Sequence, residues 1–288
     1  MVAEEGISVS RACKILSLPR SQYYYPAQKD DWEVIEALQE LAFRHPRYGF
    51  RKLFAYIRRS GKTWNHKKVY RVYKLLKLNK KRRGKRRLPA RVKQPLQQQH
   101  AINRIWSMDF MSDSMMGGRK FRTLNIIDDS TREVLAIEID TSISSQRVIR
   151  TLNRTIEREG KPEAIRVDNG PEFTAIVFSI WAKEHGIDIQ YIQPGKPMQN
   201  GFIERFNRIY RESILDAYLF FELDQIKQLT EEWIEEYNER RPHEALENMT
   251  PKEWKAKLCA ATNDQTGEGN FVSGSRVYRH KKLENSTE

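Results

Sequence analysis

The sequence predicts an α/β fold, a mixed five-stranded sheet with helices on both faces, preceded by an all-α region that includes a helix-turn-helix. Two observations lead to this prediction. Apolar residues recur at helical spacing up to about residue 76, and from about residue 101 short apolar runs alternate with helical stretches in the order βββαβαβαα. A dense block of basic residues separates these two parts, so we place the boundary near residue 100.

The net charge differs sharply between the two parts. The 288-residue chain has a formal net charge of +13, but residues 1–100 alone carry 25 Lys and Arg against 7 Asp and Glu, a balance of +18. The remaining residues carry 26 basic and 31 acidic side chains, a balance of −5. A basic part joined to a mildly acidic one favours a nucleic-acid-binding region attached to a region with another task.

Several classes of protein are disfavoured by the sequence. No run of about 18 apolar residues predicts a membrane span, and Met1–Gly6 has neither the basic nor the apolar stretch of a secretion signal. Cys13 and Cys259 are the only cysteines, and two so far apart make neither a disulfide framework nor a zinc cluster. We therefore expect a protein of the reducing cytoplasm with no membrane partner.

Three helices are predicted at the start of the chain. Two short ones, Ser8–Leu16 and Arg20–Tyr25, are separated by a break at residues 17–19. The third, Trp32–Phe43, has a clear apolar stripe and is ended by His45-Pro46.

A helix-turn-helix is predicted over residues 45–76. A helix through Arg58 is followed by a turn at Ser60–Lys62, and Asn65 caps a second helix. The outward positions of that second helix are basic: Lys67, Lys68, Arg71 and Lys74. We take Lys67, Lys68 and Arg71 as candidate DNA contacts in a DNA-binding region of residues 1–76, the alternative being an ordinary solvated face.

A basic arm is predicted after the helices. Residues 77–93 hold ten Lys or Arg and no acid, so they cannot pack and should follow phosphate charge as an extended arm. With the Pro- and Gln-rich residues that follow, residues 77–100 are interpreted as a basic linker.

The sheet and its helices are predicted within residues 101–261. The predicted strands are Ile105–Met111, Phe121–Ile127, Val134–Ile139, Ala164–Val167 and Asp188–Ile192. The predicted helices are Ser145–Glu159, Thr174–Glu184, Asn200–Leu215 and Leu223–Tyr237. Residues 262–288, rich in Gly, Asn and Ser, are predicted to form a flexible tail.

Three acids lie where phosphodiester chemistry needs them. That chemistry requires charge stabilisation on an attacking and a leaving oxygen at once, which two Mg²⁺ ions held by a few carboxylates provide. Asp109 lies in the first strand among apolar residues, Asp168 directly follows the fourth strand, and Glu204 lies on the helix after the fifth. The pattern indicates a metal site formed by strand ends and a facing helix.

Each acid alone has a plainer interpretation. Asp109 is equally well a solvent-facing residue of an edge strand, and Asp168 is more often a turn former in its Asp-Asn-Gly segment. Glu204 can form an exposed ion pair with Arg208, one helical turn further on. Asp128 and Asp129 end the second strand, and we leave both out of the site.

The three acids together match a known signature. Thirty-five residues lie between Asp168 and Glu204, which resembles the D,D-35-E spacing of transposases and retroviral integrases. The surrounding segments narrow the resemblance: Val167–Phe173, Pro194–Asn207, Tyr237–His243 with Thr250-Pro251, and His45–Leu78. Over about residues 7–257, the chain resembles the OrfB-type transposases of the third insertion-sequence family.

This resemblance implies a fold, an activity and a set of ligands. It implies an RNase H-like core over residues 101–261, which the βββαβαβαα order also suggests, and metal-dependent cleavage and transfer of DNA strands. By resemblance, Asp109, Asp168 and Glu204 are the catalytic residues and hold two Mg²⁺ ions, for which Mn²⁺ may substitute.

The resemblance also implies partners. These are double-stranded DNA with terminal inverted repeats, target DNA, further copies of the chain in a multimer on DNA, and an upstream-frame protein joined by fusion or partnership. The expected location is the cytoplasm, at the nucleoid when DNA is bound.

Four further residues near the acids are candidate DNA contacts. Lys196 and Asn200 flank the loop before the helix that carries Glu204, and Arg205 and Arg208 lie about one turn from it. The alternative for the two arginines is a solvated face of ion pairs.

Two other functions compete with the transposase. A non-catalytic DNA-binding regulator of transposition is disfavoured because all three acids are present at the expected spacing. An RNase H-like nuclease that cuts and never joins is disfavoured because it needs no basic region for recognising DNA ends.

Overall fold

The computed structural model describes residues 7–24, 30–79, 101–193 and 200–267. The chain divides into two compact units, Met1–Arg86 and Arg87–Glu288. The predicted basic linker lies outside the described residues from residue 80 onward. Among the residues that are described, no helix is long and apolar enough to cross a membrane.

The described part of the N-terminal unit is helical. Its helices are α1 (Val9–Ile15), α2 (Arg20–Tyr24), α3 (Trp32–Arg44), α4 (Phe50–Arg59) and α5 (His66–Leu75). The predicted cap of the last helix is confirmed, because the Asn65 side chain accepts a hydrogen bond from the Lys67 backbone N–H at 2.8 Å.

One apolar core joins α3, α4 and α5. Leu38 of α3, Leu53 and Ile57 of α4, and Val69 and Val72 of α5 are fully buried in it. Because α4 and α5 are joined by a short turn and share this core, they form the predicted helix-turn-helix.

A single five-stranded sheet forms the centre of the C-terminal unit. Its strands are β1 (Ile105–Ser114), β2 (Lys120–Asp128), β3 (Val134–Asp140), β4 (Ala164–Val167) and β5 (Asp188–Tyr191). The order across the sheet is β3-β2-β1-β4-β5. The first three strands pair antiparallel, and β1, β4 and β5 pair parallel, so the predicted mixed sheet is confirmed.

Helices cover both faces of the sheet. The helices described in this unit are α6 (Ser145–Glu159), α7 (Pro171–Thr174), α8 (Ile176–Glu184), α9 (Gly201–Tyr210), α10 (Leu223–Glu235) and α11 (Pro251–Gly267). One apolar cluster joins a face of the sheet to α6 and α8 through residues such as Val148 and Phe178. A second joins the opposite face to α9 and α10 through Phe206 and Trp233. Each face of β1 therefore lies under helices.

The end of β2 is tied to its neighbours by a buried ion pair. The Asp129 carboxylate accepts a hydrogen bond from the Ser107 hydroxyl of β1 at 2.6 Å and one from the Arg166 guanidinium of β4 at 2.6 Å. Asp129 is 0% exposed, and a buried carboxylate is tolerated only with such partners. Asp128 likewise accepts bonds from its own turn, at Ser130 and Thr131. Both acids are engaged structurally, in agreement with their omission from the predicted site.

Several element ends differ from the predictions. The predicted helix Thr174–Glu184 begins later, at Ile176, because Ala175 adopts an extended conformation that separates α8 from the short α7 before it. A π-helical turn, Arg211–Leu215, follows α9, and a second, Glu236–Arg240, follows α10. The predicted tail begins too early, since α11 continues through Gly267. Residues 268–288 lie outside the described residues.

Candidate active site

Asp109 lies in the middle of the central strand of the sheet. Trp106, Met108 and Phe110 of β1 pack into the cluster with α6 and α8, whereas Met111 packs into the cluster with α9 and α10. Since successive side chains of a strand alternate, Asp109 faces α9. The edge-strand interpretation is therefore wrong, because β1 has a paired neighbour on each side.

Both oxygens of Asp109 have hydrogen-bond donors. Oδ1 accepts the backbone N–H of Phe110 at 2.9 Å, and Oδ2 accepts the Asn207 side-chain amide at 2.7 Å. Asn207 lies on α9, three residues after Glu204, and is itself buried. We did not predict this contact from the sequence. The one available signal was a polar residue at a helical position that belongs to the buried face of α9.

Asp168 directly follows β4 and begins a tight turn. Its Oδ1 accepts a hydrogen bond from the Gly170 backbone N–H at 3.0 Å, so Asp168 forms the turn that its Asp-Asn-Gly segment predicts. Gly170 then leads into α7, where Pro171 occupies the first turn. The turn thereby fixes the Asp168 carboxylate at the carboxyl end of the strand.

Replacing Gly170 with Ala is expected to displace this carboxylate. A Cβ at position 170 would lie 2.9 Å from Asp168 Oδ1, although the Gly170 φ of −62° suits any residue. Asp168 must therefore rotate and lose its backbone hydrogen bond. If Asp168 takes part in the DNA cleavage that the resemblance implies, we expect the cleavage rate to fall by about 10- to 100-fold, as for other small displacements of reacting groups. The measurement is a single-turnover cleavage assay.

Gly117→Ala is the matched control, because a Cβ there meets nothing within 4 Å. Both variants should melt at the wild-type temperature. Equal cleavage rates for the two variants would show that this turn does not set the position of Asp168.

Glu204 lies in the first turn of α9 and is exposed. The buried face of α9 is formed by Ile203, Phe206, Asn207 and Tyr210. Phe202 and Ile209 lie at the margins of this face and are only partly buried. Within the described ranges no ion pair joins Glu204 to Arg208, and Arg211 pairs with Asp113 of β1 instead.

The three carboxylates interact electrostatically. The pKa of Asp109 is raised from the ordinary value of 3.8 to about 6. Burial is the largest cause and the negative charges of Asp168 and Glu204 add to it, whereas the hydrogen bonds from Phe110 and Asn207 lower the pKa. Asp168 and Glu204 thus lie near enough to Asp109 for their charges to act on it. These two charges come from the end of β4 and from the first turn of α9.

This group of acids has the ligand chemistry that Mg²⁺ prefers. All its donor atoms are carboxylate oxygens, and a cation would remove the repulsion that raises the pKa of Asp109. Among the described residues, no three His, Cys, Asp or Glu side chains are arranged closely enough to enclose a metal ion. Mg²⁺ takes few protein ligands and completes its shell with water and phosphate, so an open arrangement fits this ion.

The candidate DNA contacts near the acids lie in different environments. Arg205 and Arg208 are exposed on α9. Asn200, directly before α9, is buried, and its side chain makes no capping bond to the helix. Lys196 lies outside the described residues.

The candidate DNA contacts of the N-terminal unit are partly occupied within that unit. Lys68 Nζ donates to the Asp30 carbonyl at 2.9 Å, and Arg71 donates to Asp31 Oδ1 at 2.7 Å. These bonds tie α5 to the residues before α3. Lys67 is exposed at the start of α5.

Comparison with protein families identifies the same two parts of the chain. An integrase core domain matches residues 99–197, and a second integrase core domain model matches residues 185–251. An HTH-like domain matches residues 29–86. The two integrase core ranges contain the three carboxylates, and the HTH-like range contains the predicted helix-turn-helix.

Two relatives and one solved structure illustrate the similarity. An uncharacterized 31.7 kDa protein of insertion element IS407 from Burkholderia multivorans is 40% identical, over 90% of this chain and 94% of that protein. The putative transposase InsK of insertion sequence IS150 from Escherichia coli is 25% identical, over 83% of this chain and 90% of InsK. The HTLV-2 integrase catalytic core in complex with magnesium is 21% identical, with a TM-score of 0.43, and covers 52% of this chain and 95% of that one.

Along the chain, the helix-turn-helix comes first. The integrase core follows it and contains the mixed sheet with helices on both faces. The chain therefore belongs to the OrfB-type DDE transposases of the third insertion-sequence family, enzymes that cleave and transfer DNA strands.

Proposed function

We propose that this transposase binds its metal ions through Asp109, Asp168 and Glu204 and acts there on the ends of a mobile element. The observation that carries the proposal is the hydrogen bond from Asn207 of α9 to the half-buried Asp109 of β1, which holds the helix of Glu204 against that strand. The charges of Asp168, at the end of β4, and of Glu204 act on Asp109 there. A cation bound here would offset the two negative charges that raise the pKa of Asp109.

Membership of the integrase-core transposases implies a divalent metal ion. We assign two Mg²⁺ ions to the site, for which Mn²⁺ can substitute. When bound, such ions lower the pKa of a water molecule and stabilise the leaving oxygen of the phosphodiester.

The chain's own residues position the reaction. Asn207 and the Phe110 N–H hold the two oxygens of Asp109 and leave further lone pairs of the carboxylate open to a cation. The Gly170 N–H holds Asp168 in the same manner. Glu204 is exposed, so it is open both to the ion and to DNA.

Two successive reactions occur at this site in our proposal. Water attacks the phosphodiester at the element's end, the P–O bond to the 3′ oxygen breaks, and a 3′-hydroxyl is released. That hydroxyl then attacks a second phosphodiester and displaces its 3′ oxygen. Neither reaction forms a protein–DNA bond, so no Ser or Tyr nucleophile is required.

The remaining parts of the chain supply recognition of DNA. We assign the terminal inverted repeats to the basic helical region of residues 1–76, and phosphate contacts to residues 77–100. Lys67, Arg205 and Arg208 are exposed and available for such contacts. Because two DNA ends must be joined, we expect several copies of the chain to assemble on DNA. The upstream-frame protein is a further partner, and the assembly acts in the cytoplasm, at the nucleoid.

The test is an end-cleavage and joining assay. Purified full-length protein is incubated with duplex DNA that carries the terminal inverted repeats flanking its gene, with Mg²⁺, with Mn²⁺ or with a chelator. We expect cleaved and joined products with either metal and none with the chelator. Cleavage without joining would establish the nuclease instead.

DNA binding without chemistry would have two explanations, a regulator or a missing upstream-frame partner. Repeating the assay with the fused upstream and downstream frames separates them. Joined products from the fusion support the proposal, and their absence overturns it.

A further inference from the structure

We propose that Asn125 is a positioning residue of the active site, which orients the Asn207 amide so that Asn207 holds Asp109 in place for the metal ion. The inference rests on the proposed role of Asp109 as a metal ligand. It concerns a residue of β2 that neither the spacing of the acids nor the resemblance identifies.

The three side chains form one chain of hydrogen bonds. Asn125 Nδ2 donates to Asn207 Oδ1 at 2.7 Å, and Asn207 Nδ2 donates to Asp109 Oδ2 at 2.7 Å. Asn125 also pairs directly with Asp109 across β1 and β2. Asn125 is 0% exposed and Asn207 is 8% exposed, so water competes little for these bonds.

The Asp109 carboxylate determines which group donates and which accepts in each of these hydrogen bonds. An ionised carboxylate only accepts hydrogen bonds, so Asn207 must turn its NH₂ group towards Asp109. The Asn207 oxygen then faces β2 and needs a donor there. Asn125 supplies that donor with its own NH₂ group. An apolar residue at position 125 would leave the Asn207 oxygen buried without a partner and its amide free to rotate.

Stability alone does not explain an asparagine at this position. Asn125 Oδ1 is buried and has no hydrogen-bond partner in the described part of the chain. Burying an unpaired polar oxygen costs folding free energy, and the neighbouring residues of this layer are mostly apolar. The unpaired oxygen of Asn125 is unfavourable to folding, but the Asn125 NH₂ group orients the Asn207 amide. We therefore attribute the asparagine to its function in the site.

Thr123 offers a matched comparison on the same strand. It lies two residues from Asn125 on the same face of β2, is also 0% exposed, and has a buried hydroxyl oxygen with no partner among the described residues. Unlike Asn125, Thr123 makes no hydrogen bond to Asn207 or Asp109 in the described part of the chain. Truncating the two residues therefore removes similar buried groups, with only one of them linked to Asp109.

The experiment compares Asn125→Ala with Thr123→Ala in the full-length protein. The measured quantities are the Tm without metal and the Mg²⁺ concentration that gives half-maximal end cleavage. We expect Asn125→Ala to raise that concentration about 10-fold or more, as is common when a residue supporting a metal ligand is lost. Thr123→Ala should leave it unchanged. If Asn125 had a purely structural role, both variants would have a lower Tm, and neither would need a higher Mg²⁺ concentration for cleavage.

A double-mutant cycle tests whether Asn125 acts through Asn207. In an Asn207→Ala background, adding Asn125→Ala should change the Mg²⁺ requirement by less than about 2-fold, because the path to Asp109 is already broken. Full additivity of the two effects would overturn the proposal. If Asn125→Ala does not fold, Asn125→Val replaces it, since Val suits a buried strand.

Asp109→Asn in the same assay separates this proposal from the proposed function. An active Asp109→Asn variant would overturn the assignment of Asp109 as a metal ligand, and the role of Asn125 with it. An inactive Asp109→Asn variant, together with an Asn125→Ala variant that behaves like Thr123→Ala, would overturn the role of Asn125 alone.

Discussion

Replacing Glu204 with Gln is expected to abolish strand cleavage and strand transfer together, by about a thousandfold or more, while DNA binding and Tm stay at wild-type values. A thousandfold loss corresponds to about 4 kcal/mol of transition-state stabilisation, which is the scale of a lost metal interaction. The amide has nearly the shape of the carboxylate but no negative charge for a cation. The measurement is the end-cleavage and joining assay with Mg²⁺, beside a DNA-binding assay.

The structure gives a reason to expect no loss of stability in this variant. Glu204 is exposed, and α9 is anchored by its opposite face, where Ile203, Phe206 and Tyr210 are buried. Glu212→Gln is the matched control, because Glu212 is an exposed glutamate in the π-helical turn that continues α9. Retained cleavage in Glu204→Gln, or an equal loss in Glu212→Gln, would contradict a specific role of Glu204.

Asp109→Asn is expected to lose activity to a similar extent and, in contrast to Glu204→Gln, to gain stability at neutral pH. The folded-state pKa of Asp109 is raised from the ordinary value of 3.8 to about 6, first by burial and then by the charges of Asp168 and Glu204. Ionising Asp109 therefore costs the folded state free energy. At about 1.4 kcal/mol for each pKa unit, this cost is about 2 to 3 kcal/mol.

The pH dependence follows from the sign of this shift. Because the folded pKa lies above the unfolded one, the contribution of Asp109 to stability is full below pH 3.8 and is lost as the pH rises to about 6. The neutral Asn has no such loss. We therefore expect the Tm of Asp109→Asn to exceed that of the wild type by about 5 °C or more at pH 7.5, without metal, and to exceed it less at pH 5.

Metal provides the second half of this test. Mg²⁺ should raise the Tm of the wild type at pH 7.5, because a ligand that binds only the folded state stabilises it, and should not raise that of Asp109→Asn. Asp188→Asn is the control, since Asp188 is an exposed aspartate at the start of β5. A wild-type Tm that Mg²⁺ leaves unchanged, or an Asp109→Asn variant that still responds to Mg²⁺, would contradict the assignment of Asp109.

Much of the fold and the nomination of the acids followed from the sequence. The apolar run Ala164–Val167 predicted β4 with both of its ends, directly before Asp168, and the structure confirms it. Periodicity located α6 with both of its ends, Ser145 and Glu159. These predictions succeeded because an apolar run and a helical repeat are local properties, carried by residues that are neighbours in the sequence.

Helix ends and pairings on the surface were predicted less well. The extended conformation of Ala175, which separates α7 from α8, leaves no local signal in an apolar stretch with helical spacing. Arg71 is outward and basic in the sequence pattern, yet it bonds Asp31, 40 positions away. No spacing rule predicts such a partner, because it depends on how α3 and α5 pack together.

By itself, the sequence determined the order of elements, the division of charge between the two parts of the chain, the family, and the three acids proposed to hold metal. Only the tertiary structure decided what surrounds those acids. Asn207 contacts Asp109 across 98 positions, and Asn125 contacts Asn207 across 82. The reason is physical: the hydrogen bonds and burial that orient Asp109 and raise its pKa exist only once β1, β2 and α9 are packed together, and no local pattern in the chain encodes them.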